Sequence, residues 1–60
     1  MIWFNPATGE FYQSNEAGFA RWNAATKDFT DFLHGDERRA AILASRLATA
    51  EEAASLTVSN

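Results

Sequence analysis

Few side chains in this sequence are equipped for chemistry, and their spacing argues against catalysis. His34 is the single histidine, with Asp31 three residues before it as the nearest carboxylate. A catalytic base needs a nucleophile or substrate site around it. Beside Gly35, His34 reads more simply as the last residue of a helix, favoured there by the helix dipole, with the glycine as C-terminal cap. Asp28, Asp31, Asp36 and Glu37 cluster around that junction, and Glu10 and Glu16 come earlier. Paired carboxylates can hold a metal or run acid–base chemistry, but no Asp-x-Asp loop or EF-hand spacing accompanies them. The two readings left are a solvated face and a docking surface for a basic partner.

Arg38, Arg39 and Arg46 are the basic counterpart, the last two seven residues apart and so on one helix face. Such a set can touch phosphates, as in a helix-turn-helix, or pair with nearby acids on its own helix. Ser14, Ser45, Ser55 and Ser59 have no histidine at a usable spacing. No phosphate loop, dinucleotide fingerprint, zinc-protease motif or nucleophile elbow is present. The sequence therefore predicts a protein that is not an enzyme, with no cofactor and no metal, and with binding as its work.

Composition narrows the class of binder. Sixty residues make one small domain, and a chain of that size buries only about 60% of its unfolded surface. There is no cysteine, so disulfides and thiolate zinc sites are excluded. What can hold the fold together is aromatic packing, self-association or a partner. The net charge of −3 disfavours nonspecific nucleic-acid binding and suits a basic protein surface. No signal peptide and no spanning apolar run is visible, which predicts a cytoplasmic protein.

The secondary structure that carries these groups divides at one compositional boundary. All eight aromatics lie between Trp3 and Phe32, and alanine becomes frequent after Gly35. No internal repeat is read in the chain. Residues 2–13 read as a β-hairpin: Ile2-Trp3-Phe4 and Phe11-Tyr12 favour strands, and Asn5, Pro6 and Gly9 are turn residues. A loop from Pro6 to Gly9 pairs Asn5 with Glu10, Phe4 with Phe11, Trp3 with Tyr12 and Ile2 with Gln13. Residues 15–34 read as a helix, because Phe19, Trp22, Phe29, Phe32 and Leu33 recur at intervals of three, four and seven. The competing reading is a second hairpin, FARW turning through NAATKD into FTDF.

Asp36 is a candidate N-cap for a helix over 36–48. Thr49-Ala50-Glu51-Glu52 matches a capping box, which starts a further helix over 50–57 unless one helix runs on continuously. Residues 58–60 form a tail. The expected fold class is α+β: an N-terminal β-hairpin packed on two or three short helices in one small domain.

The hairpin gives each face one aromatic pair. The Phe4–Phe11 face, free of polar atoms, is the expected inward one, meeting Phe19, Trp22 and Phe29. The Trp3–Tyr12 face then either points outward as a contact surface or is covered by the C-terminal helices. The expected partner-binding set is Trp3, Glu10, Tyr12, Glu16, Asp28, Asp31, Asp36 and Glu37.

Small size, acidic balance and the absence of cysteine and of a catalytic set together give the chain a likeness of type. It resembles small phage-encoded accessory proteins, the host-takeover and anti-defence inhibitors that include anti-CRISPR proteins. The opening WFNPATGEFY is also similar to the aromatic–turn–aromatic hairpins that start some phage tail-assembly proteins. The first resemblance implies stoichiometric inhibition in the host cytoplasm, by covering a basic, nucleic-acid-handling surface of a host complex. The rival readings are a structural protein making homo-oligomer or virion contacts and a small DNA-binding regulator.

Overall fold

The computed structural model describes residues 1–56, and they form an α+β domain. Four strands run in succession, β1 (Ile2–Asn5), β2 (Glu10–Asn15), β3 (Gly18–Asn23) and β4 (Asp28–Phe32). They are followed by helix α1 (Gly35–Ala44), a two-residue strand β5 (Arg46–Leu47) and helix α2 (Ala50–Ala54). The strands make one antiparallel sheet in the order β4-β3-β2-β1-β5.

The first hairpin forms in the expected register, with Ile2, Trp3, Phe4 and Asn5 opposite Gln13, Tyr12, Phe11 and Glu10. Its turn is built by Asn5, whose Oδ1 accepts from the Ala7 amide at 3.0 Å and whose carbonyl accepts from the Gly9 amide at 2.7 Å. Gly9 takes φ of 77°, the left-handed region where only glycine escapes a Cβ clash.

The helix expected over 15–34 is instead the end of β2 and the hairpin β3–β4, the competing reading. The physical reason lies in the pairing of β3 with β4. Arg21 faces Asp31 but the next residue, Trp22, faces Phe29, so Thr30 is an extra residue in β4. A bulge of this kind breaks the two-residue period. Phe29 and Phe32 therefore share a face although they are three apart, a spacing that in a regular strand would separate them and that imitates a helix.

The two hairpins also overturn the reading that the chain has no internal repeat. FNPATGEFY at 4–12 returns eighteen positions later as WNAATKDFT at 22–30. Asn23 repeats the work of Asn5: its Oδ1 accepts from the Ala25 amide at 2.9 Å, and its carbonyl from Lys27 at 2.8 Å. Lys27 stands in the place of Gly9 and takes φ of 56°. The second loop carries a further side-chain bond, from the Thr26 amide to Asn23 Oδ1 at 3.3 Å.

Three helical expectations are also corrected. His34 does not end a helix; it is the extended residue before α1, with φ of −139°, and Gly35 is the first residue of the helix. Asp36 therefore sits in the first turn with Glu37 rather than at the N-cap. The helix expected over 36–48 stops at Ala44, because Arg46 and Leu47 leave it to pair with Phe4 and Trp3. The two C-terminal helices are thus separate. The second begins with the expected capping box, Thr49 Oγ1 accepting from the Glu52 amide while Glu52 Oε1 accepts from the Thr49 amide. It closes at Ala54, short of the expected 50–57, and the tail expected at 58–60 lies outside the described residues.

Candidate functional site

The period of two sends Trp3, Tyr12, Arg21 and Asp31 to one face of the sheet, side by side across β1 to β4. Ser14, Phe19 and Leu33 join them there. This is the face that α1 covers. Tyr12, Phe19, Leu33 and Ala41 of α1 form the buried core, with Trp3 packed against it, and Tyr12 stacks on Phe19 at 5.2 Å between ring centroids. The expectation that Phe4 and Phe11 face inward is therefore reversed.

The reversal has a physical cause. A buried tyrosine or tryptophan needs a partner for its polar tip. Here both partners come from the sheet itself: Trp3 Nε1 donates to Ser14 Oγ at 2.9 Å, and Asn5 Nδ2 donates to the Tyr12 hydroxyl at 3.4 Å. With their polar atoms satisfied locally, the larger rings can be the buried ones. Tyr12 retains only 2% of its exposure, so the Trp3–Tyr12 pair is not an outward docking patch.

The opposite face carries the remaining aromatics. Phe4 lies against Phe11 with centroids 4.8 Å apart, and Trp22 meets Phe29 edge-on at 5.1 Å. The register of β2 with β3 sets Phe11 opposite Trp22, so the two pairs make one row across four strands. Beside it runs a second row, Ile2, Gln13, Ala20 and Phe32. Phe4, Phe11, Trp22 and Phe29 are half-buried and Phe32 is 44% exposed. The Phe32 ring lies over Gly18, where an added Cβ would stand 3.5 Å from it. At the β1 end the Arg46 guanidinium sits 5.2 Å from the Phe4 ring centre, a cation–π contact.

The rings of this open face are tilted by 48° in one pair and by 68° in the other. Neither pair is stacked in parallel, so the rings together make an uneven apolar surface. Phe4, Phe11, Trp22, Phe29 and Phe32 were not among the expected contact residues. For Phe4, Phe11, Trp22 and Phe29 the eighteen-residue recurrence was the signal that could have found them, because it places two copies of one aromatic-clamped hairpin with the same face up; Phe32 lies outside it.

The expected acidic set is not brought together. Glu10 and Asp31 flank Arg21 on the covered face, at 3.1 Å from Nη1 and 2.9 Å from Nε. The Asp31 hydrogen bond is the main cause of the raised Arg21 pKa. Asp36 pairs with Arg39. Glu16 lies at the β2–β3 turn, at the opposite end of the strands from Asp28, and Glu37 is exposed in the first turn of α1. Among the described residues Glu16, Asp28, Glu37 and Glu51 form no ion pair. Glu52, which sequence reasoning used only as a capping residue, also grips Arg46 through two bonds of 2.8 Å. That hydrogen bond, with the backbone bond at Thr49, holds the Glu52 carboxyl down to about 2.

Among the described residues no group of three or more His, Asp and Glu side chains could hold a metal ion, and no helix is long and apolar enough to cross a membrane. No known family model, curated protein or solved structure matches the chain.

Proposed function

We propose that this protein is a non-enzymatic binding module that docks through its open aromatic face onto a basic surface of a larger protein. The observation that carries the reading is the row of aromatic side chains on the face opposite the core, with Phe4, Phe11, Trp22 and Phe29 half-buried and Phe32 exposed. Aromatic side chains are enriched at the centres of protein interfaces, and tryptophan is among the few residue types that dominate binding energy there. The protein's unpaired charge favours a basic partner: among the described residues Glu16, Asp28, Glu37 and Glu51 lack an ion-pair partner, against Lys27 and Arg38. An excess of free acids steers encounter with a basic patch. In its most specific form the partner is a nucleic-acid-handling complex of a host cell, and the protein is a phage-encoded inhibitor of the anti-CRISPR type acting in the host cytoplasm.

The test is affinity capture from host lysate with the intact protein and with Phe32→Ser, followed by mass spectrometry. One basic protein or nucleoprotein should be retained stoichiometrically by the parent and lost by the variant. Retention should weaken between low and high salt. Capture that is indifferent to Phe32→Ser and to Trp22→Ser would remove the open face from the interaction.

A further inference from the structure

On the covered side of the sheet, between α1 and the β1–β2 end, lies a cavity of about 160 Å³ lined by Trp3, Ser14, Phe19, Arg38, Ile42 and Ser45. We infer that this cavity is a binding site for a small carboxylate with an apolar body, a site separate from the open face and independent of its role. Its walls are mainly the two rings and Ile42, and its volume is that of a cavity able to hold about one benzene-sized group.

The polar groups at the cavity set the charge of the ligand. Arg38 forms no ion pair among the described residues. Ser14 Oγ accepts the Trp3 indole hydrogen, so its own hydroxyl hydrogen remains free to donate. Ser45 is different: its hydroxyl hydrogen is directed to the Ile42 carbonyl at 3.3 Å, which leaves it only lone pairs to offer. Arg38 and Ser14 are thus the lining residues with donors left to offer, a guanidinium on a flexible stem and a hydroxyl, and the two together match a carboxylate. No acidic side chain lines the cavity to repel it. A neutral hydrocarbon would leave Arg38 unused, and an amine would meet its charge. The carboxylate can come from a free acid or from the C-terminus of a peptide ending in an aromatic residue; both present the same ring and the same two oxygens.

The experiment tracks the indole N–H resonance of Trp3 in the full chain, assigned with Trp22→Phe, during titration with 3-phenylpropionate. The Trp3 signal should shift and saturate at about millimolar ligand, the strength set by so few atoms, while the Trp22 signal on the other face stays still. The neutral analogue 3-phenylpropionamide should bind about tenfold more weakly, and Arg38→Gln should reduce the acid to the level of the amide. Arg38→Lys, which keeps the charge, should retain most of the binding. Acetyl-glycyl-phenylalanine separates the two sources: saturation admits a peptide C-terminus, and no shift confines the site to free acids. Equal binding of acid and amide, equal movement of both indoles, or a shift that never saturates would overturn the assignment.

Discussion

On one face of the sheet Tyr12 and Phe19 stack beneath α1 and keep 2% and 5% of their exposure, whereas on the other Phe4, Phe11, Trp22 and Phe29 stay half-buried and Phe32 stands 44% exposed. Ring content does not separate the two faces. The path of the chain beyond β4 does. Leu33 ends the β-sheet on the core side, its amide bonded to the Phe19 carbonyl at 2.9 Å, and α1 continues from there and lays Ala41 over the same side. An antiparallel sheet becomes stable by packing one apolar face, and here α1 covers it. The second face is then available for contact, and a row of aromatics there is material for an interface.

The contrast can be abolished most forcefully at the core. Tyr12→Ala removes the stacked ring and the partner of Asn5 Nδ2, and should cost about 4 kcal/mol, enough to unfold a domain whose whole stability is a few kcal/mol. Phe32→Ser on the open face should cost about 1 kcal/mol. Chemical denaturation followed by circular dichroism compares them, and equal losses would mean that both faces are core.

The bulge offers a subtler perturbation. Deleting Thr30 leaves Phe29, Asp31, Phe32 and Leu33 on the faces they now occupy, so the protein should fold with a loss of about 1 kcal/mol, the usual size of a tolerated change. Unfolding as complete as that of Tyr12→Ala would show that the extra residue is needed for the twist of the strand.

The covered face has a polar half as well, where Arg21 joins Glu10 and Asp31. Arg21→Ala should cost about 1 kcal/mol, because these groups are partly solvated. Raising the salt should shrink the difference between parent and variant.

The repeated hairpins extend the contrast to their turns. Gly9→Ala forces a Cβ into the left-handed region and should destabilise by about 1 kcal/mol. Lys27→Gly should stabilise by about 0.5 kcal/mol, the relief of the Cβ clash being partly offset by greater freedom of the unfolded chain. Thermal melts that move in the same direction for both would contradict the equivalence of the two loops.

The last effect, weakened by solvent screening of an exposed pair, concerns acid. Glu52 titrates at about 2 in the folded protein against an ordinary 4.5. Its contribution to stability is therefore complete above 4.5 and is lost as the pH falls from there through about 2. A carboxyl NMR titration should find the low midpoint, and Arg46→Gln should move it upward.

Particular residues show what was legible in the sequence. The first hairpin could be read in full because Asn5, Pro6 and Gly9 announce a turn and the flanking aromatics fix the register. The capping box at Thr49 and Glu52 was legible for the same reason: its signal is local. The second hairpin carries Ala24 and Lys27 where the first has Pro6 and Gly9, so its turn chemistry was muted, and the bulge at Thr30 gave its strand a helical spacing. The burial of Trp3 and Tyr12 could not be read locally, since it depends on Ser14, Asn5 and the path of α1. The expected acidic patch dissolved because Arg21, eleven and ten residues away in sequence, claims Glu10 and Asp31, while Arg39 takes Asp36 in the within-helix pairing that the sequence did offer.

The two-residue strand β5 has one more consequence. Every other pairing in the sheet joins neighbours along the chain, but β5 sets Leu47 and Arg46 beside Trp3 and Phe4, with the Ala48 amide bonded to the Ile2 carbonyl at 2.9 Å. During synthesis the first strand therefore emerges from the ribosome long before its outer neighbour. Until then it offers an unpaired row of amides and carbonyls beside a strip of aromatic rings, the combination that invites adhesion between nascent chains. Arg46 closes this interval on two counts, pairing the edge and placing its charge over the ring of Phe4.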